Sequence, residues 1–243
     1  MILDLIQNPH YVIDINSYEG IRNIVVTILV FVSILVLGRN LSKSKNLLIL
    51  KIICAIAIIS TGYDHIIDAI NGNWRVEEDL PLHLCSLSNL IVCIILLTPI
   101  NKKIFEFLFY CGFLGGLVSI LTPQLNYYDG GWFMYLSYYS SHGIIMLVPL
   151  FMYYNLNYKL SKYSWLRTFG ILNIFMIFIL PLNFLIGSGA NYMYLYEAPN
   201  IKNPLVFGDW PYYIINWEII IIVLFYLTYF IFTRKKYDKK ISN

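Results

Sequence analysis

A thiol and two imidazoles are the groups in this chain best suited to covalent chemistry. Cys85 follows His83 by two residues in the run Leu80-Pro81-Leu82-His83-Leu84-Cys85-Ser86-Leu87, and His142 lies inside a long apolar stretch. A cysteine becomes a nucleophile when a base within hydrogen-bond reach converts it to the thiolate. On a regular helix, residues two apart point away from each other, so His83 and Cys85 pair directly only if Pro81 makes the first turn irregular. On a regular helix Cys85 instead shares a face with Asn89, and that face would meet a histidine such as His142 from another helix. At 1.5 Å per residue, His142 would lie roughly 15 Å below the start of its own helix, near the middle of a bilayer. Cys54, Cys93 and Cys111 read as small apolar core residues.

Other polar groups are sparse and fall mostly in the same half of their apolar stretches. They are Asp64, His65 and Asp68 at the end of the second stretch, Gln124 after the fourth, Asn173 and Asn183 in the sixth, Asn191 beyond it, and Asn216 and Glu218 in the seventh. Ionisable residues inside a membrane bundle are functional candidates by default. Their shared depth predicts one polar cavity opening outward, lined by Asn89, Asp64, His65, Gln124, Asn183, Asn191 and Glu218. A plainer reading leaves Asp64, His65 and Asp68 wetted at a helix end. Such a cavity would also suit a small-solute transporter or a sensor. A metal-dependent intramembrane lipid hydrolase would use His65, His83 and His142 with Asp64 or Asp68, but no two histidines have the i,i+4 spacing of a preformed pair. No cofactor is called for: there is no HExxH, GxxxxGK[ST] or GxSxG, and the seventh stretch has no lysine for a retinal Schiff base.

The elements that must carry these groups are membrane helices. The chain has 243 residues, 58% hydrophobic and only 13% charged. A soluble domain keeps about a quarter of its residues charged. Seven stretches approach the roughly 20 apolar residues that cross a bilayer: residues 21–37, 47–67, 82–98, 104–121, 133–154, 168–187 and 212–232. The fold class is therefore all-α, a single seven-helix transmembrane domain over residues 1–243, with short loops and no second soluble domain. Met1 to Gly20 has neither a basic start nor a small-residue cleavage site, so the first stretch is expected to stay in the mature protein. Gly112 and Gly116 form a GxxxG in the fourth stretch, the pattern of a close helix contact.

Basic residues set the orientation. Arg39, Lys43 and Lys45 lie between the first two stretches, Lys102 and Lys103 between the third and fourth, and Lys159, Lys162 and Arg167 between the fifth and sixth. Arg234, Lys235, Lys236, Lys239 and Lys240 form the tail. Against these thirteen, the alternate loops carry Arg22, Arg75 and Lys202. The expected topology places the N-terminus outside and the C-terminus in the cytoplasm of a multi-pass cell-membrane protein. The basic tail reads as a topology signal, with no nucleic-acid partner. Tyr127, Tyr128, Trp132, Tyr135, Tyr192, Tyr194, Tyr196, Trp210, Tyr212, Tyr213 and Trp217 cluster on the outer side, as an interfacial aromatic belt does. The segment from Gly187 to Pro211 is long for a compact bundle, a length associated with function.

The motif Leu80-Pro81-Leu82-His83-Leu84-Cys85 resembles the LPLHLC motif of the bacterial YwaF-like integral membrane proteins. Leu121-Thr122-Pro123, Ser141-His142-Gly143, Asn191-Tyr192-Met193-Tyr194-Leu195 and Gly208-Asp209-Trp210-Pro211-Tyr212-Tyr213 follow in that family's order, so the likeness runs from the second stretch to the seventh. The YwaF-like family is similar to the transmembrane protein 164 family of ether-phospholipid acyltransferases. The resemblance implies a cysteine-dependent enzyme that moves a fatty acyl chain from a phospholipid to a lysophospholipid. On that resemblance Cys85 would be the nucleophile; the residues themselves offer His142 or His83 as the base, and His83 or Asn89 as a group that steadies the oxyanion or the lipid head. Oligomeric state is not indicated by the sequence.

Overall fold

The structure is a computed structural model describing residues 10–126, 131–187, 189–199 and 206–234. Lys202, Tyr127, Tyr128 and the tail from Lys235 onward lie outside the described residues. A short strand β1 (His10–Val12) leads into α1 (Tyr18–Arg39), α2 (Lys43–Ile70) and α3 (Leu84–Leu97). The long helix α4 (Lys102–Leu121) contains one π turn, Leu108–Gly112. Strand β2 (Gln124–Asn126), α5 (Trp132–Asn155), α6 (Ser164–Ile186), a 3₁₀ turn (Tyr192–Tyr194) and α7 (Tyr212–Thr233) complete the described chain.

Each of the seven expected stretches coincides with a helix, and local chemistry sets the ends. α1 starts three residues before Ile21, at Tyr18, because Ser17 caps it: its hydroxyl accepts from the Gly20 N–H at 3.0 Å. Asn101 does the same for α4, accepting from the Ile104 N–H at 2.9 Å. The third stretch is the clear departure. Residues 82 and 83 are not helical, because Pro81 and Leu82 turn the chain first, with the Leu82 N–H donating to the Leu80 carbonyl at 2.7 Å.

Five helices, α1, α2, α4, α6 and α7, are long and apolar enough to cross a membrane. α3 has 14 residues, about 21 Å of helix against a hydrocarbon core of about 30 Å. α5 has 24 residues and so has the length, but its first half carries Ser137, Ser140, Ser141 and His142 among tyrosines. The small β1–β2 ladder pairs antiparallel, with Tyr11 opposite Leu125, a minor addition to an otherwise helical chain.

The chain divides into two compact units, Met1–Ile67 with Leu87–Tyr158, and Asp68–Ser86 with Lys159–Asn243. In the first unit α5 packs against both α1 and α4. The GxxxG of α4 makes the second contact possible. A Cβ placed on Gly116 would lie 2.5 Å from the His142 carbonyl oxygen, and one on Gly112 would lie 2.9 Å from the Ile145 carbonyl oxygen. At the other end of this unit, buried Asn46 donates to the Gly38 carbonyl at 3.0 Å and the Asn155 carbonyl at 3.3 Å, while Asn155 donates to the Leu35 carbonyl at 2.9 Å. Three helices are thereby tied by two amides. In the second unit α6 packs against α7, and Ile179, Tyr192 and Leu195 form a core against which Leu80, Leu82, Phe175 and Ile214 pack.

Gly116→Ala is expected to destabilise the protein by about 1–3 kcal/mol, because the added carbon meets the His142 carbonyl as well as the Met146 side chain, and the backbone cannot give way as the side chain can. Gly62→Ala in α2, where nothing lies within 4 Å of the added Cβ, is the matched control and should leave stability unchanged or slightly higher. Thermal unfolding in detergent reads both; equal midpoints for the two variants would contradict the close α4–α5 contact.

Candidate functional site

The stretch before α3 is built turn by turn from the second unit. The Asn73 and Trp74 N–H groups both donate to the Asp68 carbonyl, at 2.8 and 3.1 Å, and close the end of α2. Asp79 then accepts from the Arg75 N–H at 2.6 Å. The Leu80 N–H donates to the Tyr192 hydroxyl at 3.0 Å, which itself donates to the Val76 carbonyl at 2.7 Å. One phenol thus fixes both ends of the segment that delivers Pro81, Leu82 and His83. Helix α3 begins at Leu84, so His83 stands just ahead of it and Cys85 lies in its first turn. The chain is thus irregular at His83, ahead of the regular helix that carries Cys85.

His83 is held by a backbone donor. Its Nδ1 accepts from the Met193 N–H at 3.3 Å, and its ring lies 5.2 Å from that of Tyr192 and 5.3 Å from that of Tyr194. An Nδ1 that accepts carries no proton, so the neutral ring is protonated at Nε2. Burial pushes the His83 pKa from its ordinary 6.5 down to about 4. At neutral pH this imidazole is therefore an N–H donor. Cys85 is half-buried and in no disulfide. Burial raises the pKa of Tyr194, and the neighbouring Cys85 thiolate adds to that rise. Tyr194 thus packs on His83 and is coupled electrostatically to Cys85.

The loop that supplies Tyr194 is an ordered part of the second unit's core. Asn183 of α6, 2% exposed, uses both ends of its amide on Tyr192: Oδ1 accepts from the Tyr192 N–H at 2.9 Å and Nδ2 donates to the Tyr192 carbonyl at 3.0 Å. Asn191 accepts from the Tyr196 and Glu197 N–H groups and donates to the Glu197 carbonyl at 2.8 Å. Met193 and Tyr194 are both left-handed, with φ of 55° and 52°. The Tyr213 hydroxyl closes the turn by donating to the Tyr194 carbonyl at 2.6 Å, and Trp210 Nε1 donates to the Leu195 carbonyl at 3.0 Å. Tyr192 and Tyr213 are fully buried, so neither belongs to an interfacial belt.

The remaining candidates have equally definite places. In the second unit, Glu218 accepts from Asn173 Nδ2 at 2.8 Å, tying α7 to α6. In the first unit, His142 Nδ1 lies 2.8 Å from the Tyr138 carbonyl oxygen, with the two rings 4.3 Å apart. A carbonyl only accepts, so Nδ1 carries the proton and Nε2 of the neutral ring is an acceptor. Asp64 accepts from the Ser137 hydroxyl at 2.6 Å, and Asn89 donates to the Thr61 hydroxyl. Asp64 is therefore anchored to α5 as well as lying near a helix end. His65 sits half-buried one residue further along α2, and Gln124 lies in β2, its N–H donating to the Tyr138 hydroxyl at 3.3 Å. Among the described residues no three His, Cys, Asp or Glu side chains gather as a metal site would require.

Sequence reasoning missed Tyr192 and Tyr194 as parts of the site. Their motif was legible, but aromatic residues near a membrane surface are usually belt residues, and only the left-handed turn shows that these two face inward onto His83. With this geometry in view, the chain was compared with known proteins. The model of the TMEM164 family matches residues 17–229. No curated protein and no solved structure matches the chain.

The depressed pKa of His83 makes stability depend on pH. The unfolded chain protonates this ring below about pH 6.5 and the folded chain resists until about pH 4. The stabilisation is present above pH 6.5 and is lost as pH falls toward 4. His83→Asn keeps an acceptor near the Nδ1 position but does not titrate, so it should flatten the pH dependence of the unfolding midpoint between pH 6.5 and 4. An unaltered slope in that window would mean that His83 is not buried neutral.

Proposed function

We propose a function from one premise: the chain belongs to the TMEM164 family, as a multi-pass membrane protein. On this reading the protein is a membrane enzyme that moves a fatty acyl chain from a phospholipid to a lysophospholipid through a thioester on Cys85. All seven helices cross the bilayer, with the N-terminus outside and the C-terminus in the cytoplasm. The excess of basic residues on one side of the chain supports that arrangement. It puts Cys85 toward the outer leaflet, where a diacyl lipid can present its ester laterally.

The observation that supports the reading is the presence, within one unit, of a cysteine in the first turn of a helix and, two residues before it in the chain, an imidazole fixed as an N–H donor. In the first half-reaction Cys85 Sγ attacks the ester carbonyl. A C–S bond forms, the C–O bond to glycerol breaks, and the thiol proton leaves with the lysophospholipid as its hydroxyl hydrogen. In the second, the acceptor hydroxyl attacks the thioester; a C–O bond forms, the C–S bond breaks and the proton returns to sulfur. Each step passes through a tetrahedral oxyanion. A preorganised N–H donor such as His83 Nε2–H stabilises that charge, and loss of one such donor typically costs about 10²–10³ in turnover. A donor held neutral to about pH 4 keeps this role through the physiological range.

Protein reconstituted in liposomes with a labelled diacyl phospholipid and an unlabelled lysophospholipid tests the scheme. Wild type is expected to transfer the acyl chain and to carry a hydroxylamine-sensitive adduct on Cys85. Cys85→Ala should abolish both. Transfer that survives in Cys85→Ala would sink the thioester route.

A further inference from the structure

We propose that Tyr194 is the positioning residue of the Cys85 site, holding the His83 ring in the one orientation and tautomer in which it serves; the catalytic consequence rests on the acyl-transfer reading, the positioning itself does not. Three independent restraints converge on this residue. Its ring packs at 5.3 Å on His83, at an interplanar angle of 48°. Its backbone, together with that of Met193, adopts a left-handed conformation that a non-glycine residue enters only at a steric cost. Its carbonyl is clamped at 2.6 Å by the hydroxyl of Tyr213, a fully buried side chain at the start of α7.

The strain has a geometric consequence. A left-handed pair reverses the chain within one turn, and here it directs the Met193 N–H onto His83 Nδ1 while the following side chain lies on the same imidazole. With the Nδ1 lone pair occupied by that N–H, the proton is confined to Nε2. Tyr192 bounds His83 at 5.2 Å, but its hydroxyl is already committed to Val76 and Leu80. Trp217 supports the arrangement from behind, 6.4 Å from the Tyr194 ring and 5.4 Å from that of Tyr213. An isolated aromatic belt residue would need none of these features.

Protein labelled with ¹⁵N-histidine gives the direct readout, because the two ring nitrogens report the tautomer by their chemical shifts. The His83 signals, assigned by their loss in His83→Asn, should show a proton on Nε2 in wild type. Tyr194→Ala should move them toward a mixed tautomer and lower acyl-transfer turnover about tenfold or more, with little change in KM. Tyr194→Phe keeps the ring and should restore both. Tyr213→Phe, which removes only the carbonyl clamp, should reproduce the tautomer change in part. Wild-type His83 signals in both Tyr194→Ala and Tyr213→Phe would overturn the positioning role. If wild type transfers no acyl chain, the functional reading fails separately, and the histidine signals still decide whether Tyr194 positions His83.

Discussion

The second unit depends on the double hydrogen bond between the Asn183 amide and the backbone of Tyr192. A loop cannot enter an apolar interior unless its peptide groups find partners, since an unsatisfied one costs about 1–3 kcal/mol. Asn183 supplies a donor and an acceptor in the geometry of a neighbouring strand, to one residue only. Once that residue is fixed, its phenol reaches the Val76 carbonyl and the Leu80 N–H, and the segment before α3 is fixed in turn. The place of His83 ahead of α3 is thus decided by an asparagine a hundred residues later in the chain. Removing Asn183 would release the loop, the turn and the imidazole together.

In the first unit the corresponding constraint is steric. Bare backbone at Gly112 and Gly116 lets α4 approach the carbonyls of Ile145 and His142. That closeness supports van der Waals packing, the main source of helix association where lipid offers no hydrophobic drive. It also fixes the stretch of α5 that carries His142. Polar groups along the same unit are joined pairwise across helices: Ser137 to Asp64, Asn89 to Thr61, Asn23 to Tyr139, and Asn46 to Gly38. Several candidates picked out by polarity alone therefore have a structural task in the observed fold.

The helical plan was legible because hydropathy averages over some twenty residues and is insensitive to detail. Ser17 and Asn101 were present to mark the starts of α1 and α4, and the GxxxG announced its contact. Where the sequence reading ran short, the cause was local geometry. Nothing in composition distinguishes a 14-residue α3 preceded by a turn from a longer helix that includes His83. A short run of aromatics such as Tyr192-Met193-Tyr194 looks the same whether it lies at an interface or folds inward. The deciding quantity is a pair of positive φ angles at non-glycine residues, which no propensity scale anticipates. Asn183 had a similar fate: an asparagine in an apolar helix reads as a ligand group, and its true partner was a peptide in a loop.

The two candidate histidines show how backbone partners assign chemistry that residue type leaves open. His83 Nδ1 meets an N–H and His142 Nδ1 meets a carbonyl. The first contact leaves the ring proton on Nε2, so His83 can only donate from its outward nitrogen while neutral. The second puts the proton on Nδ1 and leaves a lone pair on Nε2, so His142 can accept one. Sequence motifs could not separate a base from an oxyanion donor, because both call for histidine. The hydrogen-bond partner separates the two tautomers within each unit, independently of where any substrate binds. With its pKa pushed down to about 4, His83 is too weak a base to draw a proton from a thiol near neutral pH. The same low basicity makes it a donor that stays neutral. His142, whose Nδ1 meets the Tyr138 carbonyl, keeps on Nε2 the lone pair that His83 lacks there.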